Sequence, residues 1–335
     1  MALEQIAKPW LFLAPMAGYA DWAFRELCYG LGAEVTVSHL MPAEGFAGRP
    51  RRLLAAFGRC HGERPFFVQL YGKYPEHFQR AARALTDALP LAGIDINMGC
   101  PAQRVVGSSH GSALLREPER AAAIVAAARA GTHLPVSVKI RGGWDSCVAP
   151  EFARLLEEAG ASLLTIHGRT REQQYRGRVD LAMIAATKRA VGIPVVGNGD
   201  VVDVATARAM LATGVDGIMV GRGAIGNPGL FAELRAALKG EPRYLGGHEV
   251  SVELIRRHAR LAWQEGGDRA FRDLRKHLIA YARGSLAAAQ LRKGVERVSS
   301  WPALEEWLDE FAAAPRLPCP GPRAAPSSRQ ARPDF

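Results

Sequence analysis

Long apolar runs are missing from these 335 residues. None reaches the roughly 18 positions that a membrane-spanning helix needs. Met1 to Trp10 carries Glu4 and Lys8 where a secretion signal would be apolar, so neither export nor anchoring is expected. Cysteine is scarce as well. Cys28, Cys60, Cys100, Cys147 and Cys319 form no CxxC pair and no zinc spacing, which argues against a disulfide scaffold or a metal centre and for a reduced, cytoplasmic protein. Acidic side chains are outnumbered 33 to 43, and lysine supplies only 7 of the basic ones. With 48% apolar residues, global disorder is excluded.

The positive charge is unevenly placed. Residues 1–240 carry 27 basic and 21 acidic groups, whereas residues 256–297 alone carry 11 and 4, a net +7 in a short stretch. Such a concentration suits an anionic polymer, although a solvated helical face gives the same count.

From Leu11 to Leu238 short apolar runs alternate with helical stretches, the pattern of parallel β/α units. The runs cover 11–15, 34–38, 66–70, 93–97, 136–140, 162–167, 194–198 and 217–221. Eight in one series predict a closed eightfold parallel β/α (TIM) barrel over residues 1–240. After Gly240 helices are predicted over 249–265, 269–290 and 295–313, making a small helical domain at 241–314, followed by a disordered, Pro- and Arg-rich tail at 315–335.

Active sites of such barrels lie at the C-terminal ends of the strands. Those ends read Pro15-Met16-Ala17-Gly18, Ser38-His39, Gln69, Asn97, Lys139, His167, Asn198 and Gly221-Arg222. A strand buried on both faces should finish apolar, yet seven of the eight turn polar or charged. The glycine-rich segments Gly197-Asn198-Gly199-Asp200 and Gly221-Arg222-Gly223 follow the seventh and eighth strands, where barrels commonly hold a phosphate. Residues 221–226 also fit GxGxxG, but no acidic residue and further strand follow as a dinucleotide fold requires. An amide, an ammonium and an imidazole (Gln69, Lys139, His167) beside a phosphate loop suit the flat ring of flavin mononucleotide, FMN. Cys100, in Asn97-Met98-Gly99-Cys100-Pro101, lies at the end of the fourth strand. A lone cysteine is ordinarily a small buried apolar group. On this loop it can instead deliver a proton, since a thiol's ordinary pKa of about 8.5 lies near working pH.

Leu13 to Gly18, Val68-Gln69-Leu70, Asp95 to Pro101, Val138 to Arg141, His167 to Arg171, Gly197 to Asp200 and Gly221 to Gly223 resemble, in order, the motif set of the bacterial tRNA-dihydrouridine synthase family, and more its B-type subgroup. Leu274-Arg275-Lys276-His277 resembles the family's basic motif in its helical domain. The resemblance implies an FMN enzyme, reduced by NADPH, that passes a hydride to carbon 6 of a uridine in tRNA while Cys100 protonates carbon 5. It implies that Pro15, Met16, Ala17, Gln69, Lys139, His167, Asn198, Gly199, Asp200, Gly221 and Arg222 hold the flavin. Asn97, Lys139 and Arg141 would hold the uracil, and Arg169, Arg272, Arg275 and Lys276 would face the RNA. A monomer with no bound metal is expected. Two departures, Ser38 to Met41 and Ser108 to Gly111, are expected to leave the flavin set and the thiol untouched. The rival readings are an FMN enzyme of a free pyrimidine and a non-catalytic tRNA-binding protein.

Overall fold

A computed structural model describes residues 3–48, 64–240, 251–283 and 285–315. Eight parallel strands close into a barrel: β1 (Trp10–Leu13), β2 (Val35–Val37), β4 (Phe66–Tyr71), β5 (Gly93–Met98), β6 (Val136–Arg141), β7 (Leu163–His167), β8 (Val195–Asn198) and β9 (Gly217–Val220). Pairing of β1 with β9 and of β2 with β4 closes the ring. A two-residue strand not foreseen from the sequence, β3 (Met41–Pro42), pairs with the far end of β4.

Alternation along each strand sorts side chains between two cores. Leu11, Leu13, Val68, Leu70, Ile94, Ile96, Val138 and Ile140 face outward into one large cluster with the surrounding helices. Trp10, Phe12, Val35, Phe67, Leu163, Val196 and Met219 face inward and fill the N-terminal half of the barrel. Room for the large rings is made by Gly93, where a Cβ would meet the Phe67 ring at 2.2 Å. Following the same parity toward the C-terminal ends, the inward positions become Gln69, Asp95, Asn97, Ser137, Lys139, Thr165, His167 and Asn198. Each covering helix has a local reason to begin where it does: Asp180 accepts from Met183 N, Asp203 forms a capping box with Thr206, and Pro75 and Pro118 sit in first turns.

The C-terminal region is helical, with boundaries that differ from expectation. The first helix runs Val252–Gly266, capped by Ser251; residues 249 and 250 lie outside the described residues, as does 316–335 of the expected tail. The single helix expected over 269–290 is two, Ala270–Tyr281 and Ala288–Gly294. Between them Ser285 Oγ accepts Ala287 N, and Leu286 N donates to Pro315 O, so local bonds replace the helical ladder. The third is a 3₁₀ turn, Val295–Arg297, then Trp301–Ala313, because Pro302 lacks an N–H and fits a first turn.

This region docks on the helix that follows β1, Trp22–Gly30. Trp22 and Ala23 share a buried cluster with Ile255, Phe271, Leu278 and Trp307. Phe24 packs its ring 4.8 Å from that of His277 and 5.6 Å from that of His258. Asp21 caps the helix through Phe24 N, and Lys276 Nζ and His277 Nε2 lie 3.4 and 3.5 Å from its Oδ2. Burial pushes the Asp21 carboxyl up, but His277, His258 and Lys276 outweigh it and hold the group below the ordinary carboxylate range.

Candidate active site

Strand register sets the mouth. Across neighbouring strands Gln69 stands beside Asp95, Asn97 beside Lys139, Arg141 beside His167, and His167 beside Asn198. Parity turns these side chains to the barrel axis, and hydrogen bonds tie them into two groups.

The first group holds the thiol. Ser137 Oγ and Gln69 Nε2 donate to the two oxygens of Asp95, at 2.5 and 2.6 Å. Gln69 Oε1 accepts from Asn97 Nδ2 at 2.8 Å, and Asn97 Oδ1 accepts from Cys100 N at 2.9 Å and Gly99 N at 3.2 Å. A continuous chain of polar contacts therefore runs from the barrel interior to the backbone of Cys100. Burial pushes the Asp95 carboxyl up to about 6, partly offset by the bonds from Ser137 and Gln69 and by the Lys139 charge. From the other side Arg141, 2% exposed, donates from Nε to Gly99 O at 2.7 Å and from Nη1 to Thr170 O and Gln174 O. Cys100 itself is half-buried.

The two departures from the family motifs do reach this group, contrary to expectation. Ser112 Oγ donates to Cys100 O at 2.9 Å, and a Cβ on Gly111 would lie 3.2 Å from Cys100 Cβ. Ser38 Oγ accepts Gln69 N at 2.9 Å. Loops that leave neighbouring strand ends converge on one rim, which motif spacing does not show.

The second group surrounds Lys139, whose Nζ donates to Asn198 Oδ1 at 3.0 Å while Asn198 Nδ2 donates to Met219 O. Burial and the Arg141 charge push the Lys139 ammonium down to about 8, against the pull of Asp95. His167 lies well below its ordinary value because it is buried and four cations, Lys139, Arg141, Arg169 and Arg222, stand near it; its imidazole is neutral at pH 7. Gly199 has φ +123°, and a Cβ there would meet the His167 ring at 3.0 Å. Gly223 presses on Val201 O, 2.2 Å from where its Cβ would be. On the rim Gly221 adjoins Ala14 and the Met16 sulfur, bringing Pro15 to Ala17 beside the exposed Arg222.

Arg169, expected to face RNA, is 2% exposed and bonds Asp200 through both Nη atoms, at 2.9 and 2.6 Å. The pair braces the loop after β7, and Asp200 is engaged by it and by Val179 N. Above that loop lies Tyr175, a residue the sequence gave no reason to select. Its ring is 4.4 Å from the Arg222 guanidinium and 6.2 Å from the His167 ring, and it is 50% exposed. In the helical region Arg272 is exposed, Arg275 donates to Val298 O, and Lys276 pairs with Asp21, so only the first stands clear of the protein.

The dihydrouridine synthase family model matches residues 12–314, barrel and helical region together. A probable tRNA-dihydrouridine synthase of Rhodobacter capsulatus is 39% identical over 87% of this chain and 91% of its own length. The chain belongs to the dihydrouridine synthase family. Relatives carrying the same description include proteins of Synechocystis, 35% identical over 91% of this chain and 86% of that protein, and of Mycobacterium tuberculosis, 36% identical over 98% and 88%. In this dihydrouridine synthase the motifs that the resemblance singled out at seven places in the chain converge on the single barrel mouth.

Proposed function

We propose that the chain reduces the carbon 5–carbon 6 double bond of a uridine in tRNA to dihydrouridine, with FMN held at the barrel mouth and NADPH as reductant. Family membership supports the reaction. The observation that carries its chemistry here is Cys100, half-buried on a loop whose amide and carbonyl are fixed from both sides. We assign residues 1–240 to catalysis and 241–314 to RNA binding, in a cytoplasmic monomer.

The residues fit the flavin. Gly199 and Gly223 leave backbone accessible where a Cβ would collide, the leading amides of the 3₁₀ turn Arg222–Ala224 have no partner inside it, and Arg222 adds an exposed guanidinium, a donor set suited to a phosphate. Lys139 supplies positive charge beside Asn198, and neutral His167 can offer both a donor and an acceptor to a ring edge. Bound there, FMN would supply the hydride for carbon 6 after taking it from NADPH.

The remaining work falls to the chain. Cys100 gives its proton to carbon 5 and regains one from solvent, which balances the hydride delivered to carbon 6. Asn97 and Arg141 hold the thiol loop in place. An anionic group near Lys139 would raise the depressed pKa of its ammonium and keep it charged. Because a stacked uridine cannot reach the mouth, it must be flipped out, at a cost of roughly a few kcal/mol. Exposed Tyr175 offers a face on which an unstacked base can rest.

The test uses the purified protein, NADPH and an unmodified tRNA transcript. Flavin absorbance, NADPH oxidation and dihydrouridine in the RNA are expected together. Reduction of free uracil or orotate with tRNA untouched would support the small-pyrimidine reading, and tRNA binding without flavin or NADPH oxidation the non-catalytic one.

A further inference from the structure

On the rim beyond β6 a second constellation remains outside the site described above. The loop 142–148 folds tightly, since a Cβ on Gly143 would meet Ser146 O at 1.8 Å. It is bonded to the loop after β7: Gly142 N donates to Arg169 O, Arg171 N to Gly143 O and Glu172 N to Trp144 O. On this fixed platform stands half-buried Trp144, with the Arg171 guanidinium 4.6 Å and the Arg116 guanidinium 4.9 Å from its ring. Arg171 Nη2 reaches Gln103 Oε1, and its buried Nε has no partner. Among the described residues neither arginine has a carboxylate within ion-pair distance. A cleft of about 350 Å³ opens between Arg116, Trp144 and Ser146, with exposed Asp145 at its edge.

We infer that Arg116 and Arg171, stacked on Trp144, grip the RNA backbone phosphates on the side of the barrel mouth opposite the helical region. This rests on the proposed function. Around the ring β6 stands four strands from β1 in either direction. The helical region docks on the helix after β1 and against the loop after β9, where Gly226 meets Ala280 O. An RNA held by that region with a uridine in the mouth would extend toward the opposite rim. Two unpaired guanidiniums held against an indole are preorganised there for planar, bidentate contact with phosphate, and stacking lowers the entropy lost on binding.

The double variant Arg116→Ala/Arg171→Ala is compared with wild type in tRNA binding across a salt series, with Arg154→Ala, an exposed arginine of the barrel wall, as the control for charge alone. Flavin content and melting temperature check that the variants fold. Two lost phosphate contacts should flatten the slope of log affinity against log salt by about 1.4–1.8, whereas Arg154→Ala should leave it near wild type. Arg116→Lys/Arg171→Lys, which keeps charge but not the fork, should recover most of the slope with weaker binding. An unchanged slope in the folded double variant overturns the inference. So does an unchanged tRNA slope with a raised KM for NADPH, which would move the phosphate to the dinucleotide. Wild-type protein that neither binds nor reduces tRNA would instead remove the proposed function itself.

Discussion

The two halves of the barrel interior are built by the same strands under the same two-residue alternation, yet they have opposite character. Toward the N-terminal ends the inward positions are Trp10, Phe12, Val35, Phe67 and Leu163, packed without polar atoms to satisfy except the Trp10 indole, which donates to Ile6 O. Toward the C-terminal ends they are Gln69, Asp95, Asn97, Lys139, His167 and Asn198, each with a hydrogen-bond partner or a charged neighbour. The first half holds the fold together by burial. The second half costs burial energy, which the network offsets, and gains a set of groups whose directions are fixed before any ligand arrives.

Substitutions in the two halves should therefore separate stability from rate. The largest effect is expected in the apolar half. Phe67→Ala should cost about 3–5 kcal/mol of stability, with the turnover of the molecules that remain folded close to wild type; denaturant unfolding and flavin-normalised rates check both. A rate loss matching the stability loss would erase the distinction between the halves. In the polar half, Asp95→Leu should slow uridine reduction about 10²-fold by releasing Gln69 and Asn97 and loosening the thiol loop. Asp95→Asn, which keeps an acceptor for Gln69, should retain most of the rate, and NADPH-dependent flavin reduction should survive in both.

Lys139 gives a smaller, graded effect. Its folded pKa of about 8 lies below the ordinary 10.5. Steps that need the ammonium should weaken as pH rises through about 8. Stability of the flavin-free protein should rise between about 8 and 10.5, where only the unfolded chain still carries that proton. A pH–rate profile whose alkaline limb moves upward in Lys139→Arg would link the limb to this group; a limb unmoved by the substitution would assign it elsewhere. The smallest effects belong to the helical region. Arg272→Ala should flatten the salt slope of tRNA binding by about 0.7–0.9. Lys276→Ala should instead disturb the Asp21 contact, worth at most about 1 kcal/mol at a half-exposed ion pair, and thermal unfolding of the two variants distinguishes these roles.

Much of the barrel was legible because parallel strands announce themselves as apolar runs at regular spacing, and polar strand ends marked the mouth. Asp95 and Ser137 were equally legible by parity, each two positions before a selected residue on β5 and β6, but their role depends on contacts between strands. Arg169 looked like an RNA contact from its motif; only the fold shows Asp200 opposite it. Tyr175 and Trp144 lie in loops with no period to reveal them. Lys276 read as one of a run of surface bases, yet it faces Asp21, 255 positions earlier, within a joint where Asp21, His258 and His277 place ligand-type atoms within 4.8 Å of one another. No linear spacing displays such a meeting of three separate elements.

The measurement that bears most directly on the thiol is a single turnover of Cys100→Ala. The flavin-loaded variant would be reduced with NADPH, mixed with unmodified tRNA and followed by flavin reoxidation and dihydrouridine yield. Reduction by NADPH should match wild type, while uridine reduction slows about 10²–10⁴-fold, the usual contribution of a general acid. Reoxidation by tRNA at the wild-type rate would contradict the assignment and make Cys100 a structural residue of its loop.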